Sequence, residues 1–201
     1  NGTGERFDLY VRNDIDGLRT IDVTGFLKPS NGDIGATAKL EGLEMGYASE
    51  YLTDIFSRFS GSVYGTVTLG GNLKSPRLDS DGLNLRDGIL EVDFTKVRYF
   101  AEGPVSVNND GLHFEGIKVK DGLGGTGEGT GGIYFGNFKD FRTGIHIDFR
   151  DMKAIAMQPG DNNILYGDAF ATGTVDVTGP FDAILLSVSG RTTKSGNRSE
   201  E

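Results

Sequence analysis

Apolar and polar residues alternate along most of this chain, the two-residue period of a strand that buries one face and wets the other. Between residues 62 and 73, Val63, Gly65, Val67, Leu69, Gly71 and Leu73 hold one parity, while Ser62, Thr66, Thr68 and Asn72 share the other with Tyr64. The same spacing recurs in Ile21, Val23 and Leu27; in Ile34, Ala36, Ala38 and Leu40; in Leu90, Val92 and Phe94; in Ile145, Ile147 and Phe149; and in Ile184, Leu186 and Val188. Between the runs stand Asp16-Gly17, Asn31-Gly32, Asp81-Gly82, Asp87-Gly88, Asp110-Gly111 and Asp121-Gly122, pairs suited to the positive φ of tight hairpin turns. The pattern predicts an all-β chain, an antiparallel meander of about a dozen strands.

Three segments depart from the alternation. Over residues 46–59, Tyr47, Tyr51, Leu52, Ile55, Phe56 and Phe59 recur near every 3.6 residues, which predicts a short amphipathic helix. Its polar face, with Glu50, Asp54 and Arg58, suits a helix covering one end of the sheet better than one lying on a membrane surface. Residues 122–132 hold seven glycines in eleven positions, read either as a flexible loop or as a strand whose missing side chains permit sharp curvature. The polar stretch 192–201 is expected to fray, leaving residues 1–191 as one β-rich domain.

Composition narrows the field of functions. Glycine supplies 32 of 201 residues against 5 prolines, as many turns and bulges require. The net charge of −9 argues against a hold on phosphate backbones, so nucleic acid is not an expected partner. With no cysteine there is neither a disulfide framework nor a thiolate metal site, and the compartment is left open. No run of about 18 apolar residues occurs and residues 1–6 are polar, so neither a spanning helix nor a signal peptide is read from the chain.

Catalytic chemistry finds little foothold. The two histidines, His113 and His146, fall on the polar parity of apparent strands, as solvent-facing residues would. The Gly-x-Ser-x-Gly elbow of hydrolases is absent. Gly122, Gly124 and Gly127, and again Gly127, Gly129 and Gly132, match the spacing of a dinucleotide loop, but Ile133, Tyr134 and Phe135 follow where that loop needs a helix. The run 124–128 is similar to a calcium-binding nonapeptide but lacks its aspartate and does not repeat. Most carboxylates sit in Asp-Gly turns, where they accept local N–H groups. The expectation is a protein that is not an enzyme, with no cofactor and no metal.

What remains is an apolar face larger than the chain can hide with one helix, about 21 Å long for its 14 residues at 1.5 Å each. Three covers are open: closure of the sheet on itself, packing against another protein, or occupation of a groove by acyl chains.

Two segments resemble the C-terminal region of the TamB family, within the AsmA-like superfamily of diderm bacteria. The first is Gly61-Ser-Val-Tyr-Gly-Thr-Val-Thr-Leu-Gly-Gly-Asn-Leu-Lys-Ser-Pro-Arg-Leu-Asp, continuing in Leu83-Asn-Leu-Arg-Asp-Gly-Ile-Leu-Glu-Val-Asp-Phe. The second is Leu165-Tyr-Gly-Asp-Ala-Phe-Ala-Thr-Gly-Thr-Val-Asp-Val-Thr-Gly-Pro. Gly71, Pro76, Leu78, Leu83, Leu85 and Gly88 fit the family's glycine-bounded strand, Pro-x-Leu element and following strand pair; Tyr166, Gly167, Ala171, Gly173, Gly179 and Pro180 resemble its second signature. Asp79-Ser80-Asp81 stands where a glycine often follows Pro-x-Leu, which leaves the turn after Leu78 open. The likeness spans residues 45–195.

The resemblance implies an elongated, curved, taco-like antiparallel sheet with an open groove, in a periplasmic segment of a parent protein anchored in the inner membrane. It implies transport of phospholipid between the inner and outer membranes. The alternative it carries is a structural module assisting outer-membrane protein assembly with an Omp85-type outer-membrane barrel, a contact made by the parent protein. On this reading, phospholipid acyl chains lie along Val63, Val67, Leu69, Leu73, Leu83, Leu85, Leu90, Val92, Phe94, Ile145, Ile147, Phe149, Val175, Val177, Ile184, Leu186 and Val188.

Overall fold

The computed structural model describes residues 5–15, 18–45, 56–92, 95–136, 139–158 and 167–195. They form a single antiparallel sheet of eleven strands in which every strand pairs with its neighbours in sequence, with β1 and β11 as the edge strands of the described sheet. The strands are β1 (Phe7–Ile15), β2 (Leu18–Lys28), β3 (Asp33–Glu44), β4 (Phe56–Asn72), β5 (Ser75–Val92), β6 (Val97–Asn108), β7 (Gly111–Lys120), β8 (Thr126–Gly136), β9 (Lys139–Met157), β10 (Gly167–Pro180) and β11 (Leu185–Ser195). The meander predicted from the alternation is the observed fold, and among the described residues the sheet is not closed into a barrel.

The predicted helix fares differently. Residues 46–55 lie outside the described residues, and residues 56–59 open β4, where Phe56 pairs with Val92 and Phe59 with Leu90. The end of that segment is therefore strand, and a register shift between Phe56 and Arg58 is what breaks its two-residue period.

Two of the predicted turns are bulges. Asp81-Gly82 and Asp87-Gly88 lie inside the 18-residue β5, Gly82 at φ 60° and Asp87 at φ 52°, opposite register shifts in β4. No turn follows Leu78, because β5 runs straight through 79–81. Asn31-Gly32, Asp110-Gly111 and Asp121-Gly122 do join consecutive strands, while Asp16-Gly17 lies outside the described residues. β11 reaches Ser195, so the first residues of the expected tail belong to the sheet.

Register shifts interrupt every ladder of the described sheet except β2–β3. Each adds a residue to one strand, bends it and sharpens its right-handed twist, so the sheet curls toward the face that carries its aliphatic side chains. Where the β5–β6 ladder ends at Pro104, which has no N–H to give, side chains take over the pairing. Asn109 accepts from Leu78 N and donates to Pro76 O at 2.8 Å, and Ser80 Oγ accepts from Val107 N at 2.7 Å.

β8 carries no side chain on the inner face over residues 127–131. Its inner positions are Gly127, Gly129 and Gly131, opposite Phe149, Ile147 and Ile145 of β9 and Val119, Ile117 and Phe114 of β7. With no side chains standing on β8, the larger groups of β7 and β9 close over it. The glycine-rich stretch is thus a turn followed by a strand, β8. The curl brings β6 and β9 together although two strands separate them in the sheet. Tyr99 Oη donates to Lys153 O at 2.8 Å, and Ala156 N donates to Thr95 O at 3.0 Å.

Candidate functional site

The inner face has a sealed middle and open margins. Leu40, Val63, Leu83, Ala101, Val105, Ile117, Val119, Phe149 and Met152 form a continuous buried cluster running from β3 to β9. No large side chain among the described residues is less than 2% exposed, as expected of one layer curled on itself without a second sheet behind it. Toward β1, Val11, Val23, Ala38 and Val67 stand side by side across four strands. Toward β11, Ile147, Val175 and Val188 make one row, and Ile145, Val177 and Leu186 the next. Exposure rises outward, to 47% at Val11 on one side and 64% at Val188 on the other.

The residues read from the sequence as groove-lining divide accordingly. Val63, Leu83 and Phe149 are buried in the middle cluster. Val67, Leu69, Leu85, Leu90, Val92, Ile145, Ile147, Val175 and Val177 are half-buried on the same face, and Leu186 and Val188 are exposed at its rim. Leu73 and Ile184 lie in connections beside strand ends, Leu73 at 59% exposure, and Phe94 lies outside the described residues. The list omitted β6 and β7, whose Val97, Ala101, Val105, Ile117 and Val119 are among the most buried side chains; their own alternation, Val97-Arg-Tyr-Phe-Ala101 and Ile117-Lys-Val119, was the available signal.

One end of the sealed middle is stoppered by a carboxylate. Asp121, 8% exposed in the β7–β8 turn, accepts from Leu123 N at 2.8 Å and Gly125 N at 2.9 Å through Oδ1, and from Lys153 N at 2.7 Å through Oδ2. Burial pushes this carboxyl upward, but the N–H groups of Lys153, Leu123 and Gly125 favour the anion more strongly and hold its pKa below the usual value. Burial, reinforced by the Asp121 charge, pushes the Tyr99 phenol up to about 12. Tyr99 and Asp121 therefore fasten β6, the β7–β8 turn and β9 into a fixed crossing.

The outer face is polar. Tyr10, Thr24, Thr37, Thr68 and Asp79 form a row across β1–β5, flooring a shallow cleft of about 600 Å³ also lined by Arg6, Asp8, Phe26 and Arg77. Its charges balance, and Phe26 is flanked by Arg6 at 4.5 Å and Lys28 at 5.7 Å. Both histidines lie on this face, as their parity predicted. His113 is half-buried edge-on to Tyr134, with its Nε2 3.1 Å from Asn108 Oδ1. His146 stands between two acids, Nδ1 2.7 Å from Asp176 Oδ1 and Nε2 3.4 Å from Asp148 Oδ2. Among the described residues no group of three or more His, Asp or Glu is arranged to hold a metal ion.

The Asp176 hydrogen bond raises the His146 pKa above 6.5; desolvation opposes it, and the charges of Asp176 and Asp148 add to the rise. A raised value means that the interaction stabilises the fold fully below the unfolded pKa and is lost as pH rises through the folded one. An NMR titration is expected to place the His146 midpoint above 6.5, with Asp176→Asn moving it down; a midpoint indifferent to that change would remove Asp176 as its cause.

Comparison with known proteins returns no match: no family model, no curated protein and no solved structure matches this chain.

Proposed function

We propose that this chain is a non-enzymatic, periplasmic segment of a TamB-like protein whose inner face holds phospholipid acyl chains during transport between the inner and outer membranes. The observation that carries the reading is the graded exposure of one continuous aliphatic face, buried in its middle and open along both margins, in a sheet with no second layer among the described residues. Such a face is stabilised by about 0.8 kcal/mol for each CH₂ withdrawn from water. The chains lie along the β1–β4 and β9–β11 margins, because the packed β6–β9 crossing occupies the centre. Headgroups stay in water at the rim, and no catalytic residue or cofactor is needed.

Photocrosslinkers on opposite faces test this. Lipid adducts are expected from the inner positions Val67 and Val175 and not from Thr68, and Val188→Asp is expected to reduce copurifying lipid several-fold with an unchanged circular dichroism spectrum. Lipid-free protein, or equal labelling of both faces, would sink the reading.

The second reading, an interaction module assisting outer-membrane protein assembly with an Omp85-type barrel in the parent protein, is favoured by the two edge strands of the described sheet. Crosslinks from β1 or β11 to barrel precursors, without lipid adducts, would select it.

A further inference from the structure

The outer face holds a glycine that the fold itself does not need. Gly35 and Gly70 stand side by side on β3 and β4, next to the paired Ala36 and Leu69. At Gly35 the missing side chain is accounted for: the Phe26 ring lies across it, and a Cβ there would sit 2.5 Å from Phe26 Cε1. Gly71 is accounted for by its φ of 91°. Gly70 has neither reason, since its φ is not left-handed and nothing stands within 4 Å of an added Cβ. Glycine inside a strand weakens it and marks places where a ligand comes close to the backbone. The space above Gly70 belongs to the outer cleft of about 600 Å³.

The groups around this hollow suit one kind of ligand. Thr24, Thr37 and Thr68 are paired in a row along its floor, and each hydroxyl can both donate and accept. Arg77 pairs with Gly70 and Asp79 with Thr68, which sets a base and an acid two residues apart on one side of β5. Arg77 makes no ion pair among the described residues. Asp79 accepts from the adjacent Ser80 N at 2.9 Å through Oδ1, leaving Oδ2 for a ligand. At the opposite wall Arg6 and Asp8 hold each other at 2.7 Å. Balanced charge draws neither a phosphate nor a polycation. A neighbouring donor and acceptor match the vicinal hydroxyls of a sugar, each of which gives one proton and takes another.

We infer that the outer face of β2–β5 binds an uncharged, β-1,4-linked oligosaccharide, with one ring over Gly70 and its hydroxyls on Thr37, Arg77 and Asp79. The linkage follows from the floor, which is flat: a β-1,4-linked chain is an extended ribbon that lies along such a surface, whereas an α-1,4-linked chain coils away from it. From Thr24 to Asp79 the row crosses three strand intervals, roughly 14 Å at about 4.8 Å each, room for more than one ring. β2, β3, β4 and β5 are each paired on both sides. The site lies on the face opposite the aliphatic one, so it stands apart from the lipid reading and the two ligands do not compete.

NMR titration of the 201-residue chain with chitotetraose and with cellotetraose tests this. At least one of them is expected to shift the amides of Thr37, Gly70 and Arg77 and to saturate with a Kd of about 0.1–1 mM, as a shallow, open site allows. Maltotetraose, the α-1,4-linked comparator, is expected to bind about tenfold more weakly or less. Gly70→Val fills the hollow and is expected to weaken binding about tenfold or more, with a thermal midpoint unchanged or raised because valine suits a strand. Arg77→Ala and Asp79→Asn, at exposed positions, are each expected to weaken it several-fold with an unchanged circular dichroism spectrum. No shifts with either sugar at about 10 mM, shifts centred on the inner positions Val67 and Val175, equal binding of maltotetraose, or binding indifferent to Gly70→Val and Arg77→Ala would overturn the inference.

Discussion

Replacing Asp121 with alanine is expected to lower the thermal midpoint by about 10 °C and to release β9 from β6. Three backbone N–H groups lose a charged acceptor; hydrogen bonds to charged groups contribute about 1.5–3 kcal/mol each, and partial rehydration of the turn leaves a net loss of roughly 3–5 kcal/mol. A domain of this size loses about 2–4 °C per kcal/mol. Asp121→Asn is the sharper instrument. Its remaining oxygen can still serve Leu123 and Gly125, while its NH₂ faces the Lys153 N–H, donor against donor. Amide exchange at Lys153 and Ala156 is then expected to speed up with the turn intact. The pH dependence carries a sign as well. The folded pKa lies below the ordinary 3.8, so Asp121 stabilises the fold above that value and loses its contribution as pH falls through the folded one. The wild type should show this acid-side loss and Asp121→Asn should lack it. An unchanged midpoint in both variants would mean that the crossing does not depend on this carboxylate.

Alternation was enough to read the architecture, because a meander buries one face of each strand and repeats that demand through the chain. The errors have a common origin in the bulges. At residues 56–59, the end of the expected helix, a bulge shifts the parity and the residues are strand; residues 46–55 lie outside the described residues. At Asp81-Gly82 and Asp87-Gly88 the dipeptide asks for a left-handed backbone, which a hairpin turn and a bulge supply equally.

The aliphatic parity was legible on β4, β5, β9 and β10, but its division into a sealed middle and open margins was not. That division depends on contacts between segments far apart in sequence. Asp121 was legible as a turn residue, whereas its bond to Lys153, 32 residues away, was not. Tyr99, bonded across 54 residues, carries no local mark of its role. Asn109 likewise reads as part of an ordinary turn, although its amide substitutes for a missing strand beside Pro76 and Leu78.

Gly131→Val is expected to destabilise the chain by about 3–5 kcal/mol and to loosen the curl at β8. Gly131 sits at φ 111°, where a β-branched residue is strained, and its Cβ would run into the Gly144 carbonyl oxygen of β9. Backbone strain and overpacking each cost about 1–3 kcal/mol, and the antiparallel ladder gives neither strand freedom to move aside alone. Two neighbouring glycines separate the causes. At Gly129, φ is unstrained and an added methyl would meet Ile147 Cγ1 at an ordinary 3.6 Å, so Gly129→Ala should cost less than about 1 kcal/mol. At Gly136 nothing stands within 4 Å of an added Cβ, and alanine there should be neutral within about 0.5 kcal/mol. If crowding on β8 sets the curl, Gly131→Val should also break the Tyr99–Lys153 contact, read as a fall of the Tyr99 pKa from about 12 toward 10 in any folded fraction. Equal stability of all three variants would show that the curl is set by the bulges and not by the bare inner face of β8.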